Sequence, residues 1–145
     1  MAQARPTAGY TLIEIVISLA IVALTTTFAV SSYRHHMVRS HRVEAAQALL
    51  AVAAEQEKFH LSNGSYGDRL DAGRGDDPPG IPVSSTTPRG FYRLRIAGVD
   101  AAGFVATAER VDRDADPACV TLSLDQSGRR QARDGADRDT TSLCW

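Results

Sequence analysis

Gly9-Tyr10-Thr11-Leu12-Ile13-Glu14 opens an apolar run that lasts to about Tyr33, and it sets one carboxylate just inside a hydrophobic segment of membrane length. Roughly 20 apolar residues suffice to cross a bilayer as a helix. A charge at that depth costs a few kcal/mol on insertion scales, so an acid there is a functional hypothesis by default. Glu14 needs a partner. Cleavage between Gly9 and Tyr10 would create one, because the new amine of one subunit can meet Glu14 of a neighbour in a dry setting, where opposite charges attract far more strongly than in water. Such a pair would fix the register between subunits.

The 145-residue chain, with a net charge of -1 and 43% hydrophobic content, allows one compact domain beside the apolar segment. It has no basic excess on the scale of a nucleic-acid binder. Residues 1–9 are too short and polar to hold the apolar core of an ordinary secretory signal, and the apolar run follows the proposed cut instead of preceding it. The run is therefore expected to stay in the mature protein. Arg5 precedes it, whereas Arg34, Arg39 and Arg42 follow, so the count of basic flanks alone would put the C-terminal part in the cytoplasm. Cys119 and Cys144 point the other way, to an oxidising compartment.

Beyond Tyr33 the pattern turns amphipathic. Val38, Ala45, Leu49, Val52 and Phe59 recur at spacings of three, four and seven, while Arg42, Glu44, Gln47, Glu55 and Lys58 occupy other directions. One unbroken helix over 10–61 is expected, stopped by Ser62-Asn63-Gly64, because Asn and Gly tolerate the left-handed backbone that ends helices. Glycines and prolines over 65–88 predict an extended surface loop. Strands follow at about 90–97, 103–110 and 119–125, with a fourth short one after Gly128 and a turn at Asp125-Gln126-Ser127-Gly128. The fold class is α+β: a long N-terminal helix whose amphipathic half packs on a sheet of three or four antiparallel strands.

Glycine before an aromatic, then Thr11-Leu12-Ile13-Glu14 and a long hydrophobic helix, resembles the type IV pilin family. The tail Cys119-Val120-Thr121-Leu122-Ser123-Leu124-Asp125-Gln126-Ser127-Gly128 with terminal Cys144-Trp145 is similar to PilE-type minor pilins, and Asn63-Gly64-Ser65-Tyr66 extends the likeness over nearly the whole chain. The resemblance implies a leader at 1–9, a membrane and filament-core helix at 10–33, and a head at 34–145. Within that head it implies an amphipathic helix over 34–61, a loop over 62–88, and a sheet with a disulfide-bonded loop over 89–145. It further implies a cut between Gly9 and Tyr10, an N-methylated Tyr10, a subunit-assembly role for Glu14 and a disulfide between Cys119 and Cys144. Closing a loop of about 25 residues stabilises a fold by roughly 3 kcal/mol in the chain-entropy view. Tyr10 stands where Phe is usual, no basic residue adjoins Gly9, and no Pro or Gly interrupts the helix before Ser62, where many pilins carry helix breakers.

The partners implied are other pilin subunits, a prepilin peptidase and N-methyltransferase, the inner-membrane pilus assembly machinery, and the membrane itself before assembly. The implied location is the inner membrane, single-pass with the head in the periplasm, and then the extracellular pilus.

Asp112, Asp114 and Asp116 have the alternating spacing of a calcium loop's start, but Pro117 sits where that loop needs Gly and Ser123 where it needs its bidentate acid, so a solvated turn is expected. His35, His36 and His41, with Arg34, Arg39 and Arg42, read as a basic collar at the membrane interface. Arg129, Arg130, Arg133 and Arg138 are the better candidates for nucleic acid, yet Asp134, Asp137 and Asp139 are interleaved, which places neighbour choice ahead of DNA. Asn63-Gly64-Ser65 matches a glycosylation pattern that a helix cap explains equally well. No constellation for catalysis, metal or cofactor appears. The expected function is that of a minor pilin, a structural subunit processed by prepilin peptidase and serving pilus biogenesis, adhesion or twitching motility. A DNA-uptake receptor and a pseudopilin of a type II secretion system stand as alternatives.

Overall fold

The computed structural model describes residues 9–73 and 75–145, apart from the side chains of 27–32, 34 and 35. Residues 1–8 of the expected leader and several side chains of the expected 10–33 span therefore lie outside the described residues. The chain divides into two compact units after Met37. Its elements are α1 (Leu12–Asn63), β1 (Tyr92–Ala97), β2 (Val105–Arg110), β3 (Thr121–Asp125), β4 (Arg130–Arg133) and α2 (Thr141–Cys144).

Helix α1 begins where Thr11 offers its hydroxyl to the Glu14 amide at 3.3 Å and its carbonyl to the Ile15 amide. Thr11-x-x-Glu14 is thus one arm of a capping box, and Glu14 sits in the first turn where an acid complements the helix dipole. The apolar side chains that follow stand out from the single chain, from Leu12 at 80% exposure to Leu24 at 65%. The hydroxyls among them are bonded internally: Ser18 donates to the Glu14 carbonyl, and Thr25 and Thr26 donate to carbonyls three and four residues back. Among the described residues no helix is long and apolar enough to cross a membrane.

In the second unit the helix ends as its sequence dictates. Gly64 adopts φ +71° and its amide returns to the His60 carbonyl at 2.8 Å. The helix side of the core is a stripe of Ala45, Leu49, Val52 and Phe59, all buried. Two polar residues lie in the same stripe. Gln56, fully buried, exchanges both bonds with the Gly67 backbone, accepting from its N–H at 2.9 Å and donating to its C=O at 2.6 Å, so the helix holds the following loop without an unpaired group. His41 is buried with its ring stacked on Phe91 at 3.6 Å. That burial corrects two members of the expected collar: His41 belongs to the head's core, and Arg42 turns inward to Asp116, while His36 and Arg39 are exposed and the side chains of Arg34 and His35 lie outside the described residues.

The four strands pair antiparallel in the order β1-β2-β3-β4, one more than the lower expectation, each starting up to two residues later than read. Across the sheet, Leu94, Ala108, Leu122 and Ala132 share one pairing row and Ile96, Ala106 and Leu124 another, and both rows pack toward α1. Truncating Leu49 to Ala in this core would cost about 2–5 kcal/mol.

Both sheet edges are covered. Residues 85–87 bond along β1, through Leu94 N–H to the Ser85 carbonyl at 2.7 Å and Thr87 N–H to the Tyr92 carbonyl at 3.0 Å. The C-terminal residues cover β4, where Thr140 N–H donates to the Ala132 carbonyl and the Trp145 indole to the Gln131 carbonyl at 2.8 Å. Capped edges keep a small sheet from pairing with foreign strands.

The 65–88 segment is accordingly more than a surface loop. Ala72 and Ile81 are buried, and Gly80 is required for the approach, since a Cβ there would lie 2.6 Å from that of Ala72.

Candidate functional site

Three regions carry the residues singled out by sequence. The first is the start of the chain's apolar run. Gly9 and Tyr10 precede α1, exposed, and Glu14 is exposed on its first turn with no cation paired to its carboxylate among the described residues of the single chain. The side chains around it, Leu12, Ile13, Ile15 and Val16, are apolar and exposed.

The second region joins helix, sheet and tail. Cys119 and Cys144 are bonded, with Cα atoms 5.8 Å apart, and the link is buried in the core cluster. Beside it Asp116, 4% exposed, receives both ends of the Arg42 guanidinium, from Nε at 2.7 Å and from NH2 at 2.9 Å. Arg42 also donates to the Leu143 carbonyl at 3.2 Å. Arg110, itself buried, lies 4.0 Å from Asp116 and donates to the Asp112 carbonyl and the Tyr92 hydroxyl. The bond to Asp116 raises the Arg42 pKa, and burial of Tyr92 raises the pKa of its phenol. Asp116 is therefore a structural ion-pair partner, in correction of its reading as part of a solvated acidic turn; Asp112 and Asp114 are exposed as expected.

The third region is the arginine-bearing surface of the head. In the tail, Arg129 is 3.7 Å from Asp125, Arg133 3.3 Å from Asp137 and Arg138 2.7 Å from Asp134, so the interleaved aspartates do offset them. A hydrogen bond from the Ser127 side chain lowers the Asp125 pKa, and one from the Arg138 backbone lowers that of Asp134. Arg130 lies over the Trp145 ring at 5.3 Å.

A second arginine set, missed by the sequence reading, lies on the face of the sheet opposite the core. Strand alternation turns Arg93 and Arg95 outward while Tyr92 and Leu94 go in. The register sets Arg93, Glu109, Thr121 and Arg133 in one row and Arg95, Thr107, Ser123 and Gln131 in the next. Arg113 pairs with Glu109. Among the described residues neither Arg93 nor Arg95 has a carboxylate partner, and both, with Arg113 and Glu109, line an open depression of about 260 Å³. The run Tyr92-Arg93-Leu94-Arg95-Ile96 carried the signal in its period of two.

The family model described as "Type IV minor pilin ComP, DNA uptake sequence receptor" matches residues 31–123, and the "Prokaryotic N-terminal methylation motif" matches residues 5–30. Among solved structures the chain is similar to the Neisseria meningitidis non-core minor pilin PilV, with a TM-score of 0.52 at 16% identity over 71% of this chain and 93% of that one. It is also similar to a type IV pilin from Shewanella oneidensis at 26% identity, covering 74% of this chain and 96% of that one with a TM-score of 0.48. The likeness to PilV shows the pilin fold that the long helix and four-stranded sheet express. With a family match over more than half of its length and a methylation motif over the residues that include Gly9-Tyr10-Thr11-Leu12-Ile13-Glu14, the chain belongs to the ComP family of type IV minor pilins.

Proposed function

We propose that this minor pilin serves as a receptor for duplex DNA on the type IV pilus. The observation that carries the reading is the match of residues 31–123, most of the head, to a family described as a DNA uptake sequence receptor. It moves DNA ahead of the neighbour choice expected from the balanced charge. Outward arginines support it, because affinity for DNA comes chiefly from cations placed on phosphates, and a local excess suffices in a chain of net charge -1. The role is binding and mechanical, without catalysis.

Delivery to the filament follows from the N-terminal features. Cleavage between Gly9 and Tyr10 by the prepilin peptidase removes the leader 1–9, and the same enzyme methylates the Tyr10 amine. The apolar helix over 10–33 stores the subunit in the inner membrane, head in the periplasm, until the assembly machinery moves it into the pilus. The exposed apolar face from Leu12 to Leu24 supports this, since surface of that extent calls for lipid or neighbouring helices to cover it. Glu14 then meets the amine of an adjacent pilin subunit.

The test uses the full chain in detergent micelles and a labelled 25-base-pair duplex at two salt concentrations. Binding that weakens steeply as salt rises is the expected result. A chain that leaves the duplex free at low salt contradicts the receptor reading and returns the protein to a purely structural role.

A further inference from the structure

We infer that the DNA-contacting surface of this head is the outward face of its sheet, where Arg93 and Arg95 take backbone phosphates, and not the arginine-rich tail. The inference rests on the receptor reading and names its site. Four cations of the tail region are already engaged: Arg129, Arg133 and Arg138 each have an aspartate within 4 Å, and Arg130 covers the Trp145 ring. A phosphate arriving there competes with a carboxylate four residues away at three of the four positions.

The sheet face differs in charge and in shape. Arg93 and Arg95 leave the same face of β1 two residues apart, exposed and without a carboxylate of their own among the described residues. Arg113 joins them at the rim of the depression, so three guanidinium groups surround one acid, Glu109. A fourth lining arginine, Arg110, is buried and occupied by Asp116, Tyr92 and the Asp112 carbonyl, which makes it a rigid floor more than a ligand. Planar guanidinium forks suit phosphate oxygens, and a depression open to solvent admits a phosphodiester without displacing the core.

Beyond this cationic end the face is neutral and hydrogen-bonding. Thr107, Ser123 and Gln131 continue the row of Arg95, and Thr121 the row of Arg93, ending at Arg133 on β4. With strands about 4.8 Å apart, the two ends of a row stand roughly 14 Å from each other. That span is close to the roughly 12 Å width of the major groove of B-DNA. Arg93 and Arg95 can therefore hold a phosphate strand at one end of these rows, with hydroxyls and an amide over the groove beyond.

Four forms of the full chain in detergent micelles decide it, each titrated with the same labelled duplex over a range of salt. R93A/R95A should bind at least about tenfold more weakly and lower the slope of log affinity against log salt by about 2, one for each lost phosphate contact. R129A/R138A should bind within about twofold of wild type. Glu109→Gln should bind a few-fold more tightly, because it removes the acid from the depression and frees Arg113; a misfolded head would not give that gain. Unchanged binding by R93A/R95A, or an equal loss in R129A/R138A, overturns the sheet face while leaving the receptor reading intact. Failure of the wild-type chain to bind at any salt overturns both.

Discussion

At the residue scale, His41 shows how a polar side chain can be read onto the wrong surface. Its ring is buried against Phe91, with neither nitrogen hydrogen-bonded among the described residues. Burial lowers its pKa, and the guanidinium groups of Arg110 and Arg89 lower it further against the opposing pull of Glu44 and Asp116. The unfolded chain therefore binds the proton more readily than the folded one, so stability is full above the ordinary value of 6.5 and falls as pH drops below it. Glu44, whose burial is outweighed by hydrogen bonds from Arg89, and Asp125, Asp134 and Asp139, which accept hydrogen bonds, also have lowered pKa values. They act only below their ordinary 4.5 and 3.8. Melting curves between pH 7 and about pH 5 should show a falling midpoint that His41→Phe abolishes. A slope that persists in the variant would assign the effect elsewhere. The sequence did contain the signal: positions 38, 41, 45, 49, 52, 56 and 59 keep the three-four cadence without a gap. Reading apolar residues alone skipped His41 and Gln56, whose burial depends on an aromatic neighbour and a loop backbone that no periodicity reveals.

Among the elements, the sheet and the helix were legible and the short covering pieces were not. Alternation located three strands within two residues, and turn chemistry pointed to β4, because these follow from local pattern. Helix α2 and the pairing of residues 85–87 with β1 depend on distant partners, chiefly the disulfide and the edge of the sheet. The Cys119 to Cys144 link holds α2 and the tail that covers β4, next to the Arg42 to Asp116 ion pair that ties α1 to the same loop. Reduction should therefore destabilise the head by about 3 kcal/mol. Denaturant unfolding of the full chain with and without reductant measures it, and equal midpoints would show that the link is dispensable. The outward arginines of β1 were legible in principle too. They form no cluster along the sequence, because the sheet brings Arg93, Arg95 and Glu109 together only across strands.

For the whole molecule, the proposed role divides the work between an uncovered apolar helix start, expected to join other subunits, and a head whose sheet edges are covered, expected to present a binding surface. Mass spectrometry of the chain from purified pili should give a mature start at Tyr10 carrying one methyl group, and an intact Met1 would refute the processing. Glu14→Ala should still insert in the membrane, more cheaply without its charge, yet enter filaments poorly; incorporation equal to wild type would remove its assembly role. The receptor claim is tested most directly on filaments themselves. Pili purified from cells with and without this subunit should be equally abundant, and the pili that lack it should lose most of their capture of labelled duplex DNA at physiological salt. Equal capture by both preparations would contradict the account.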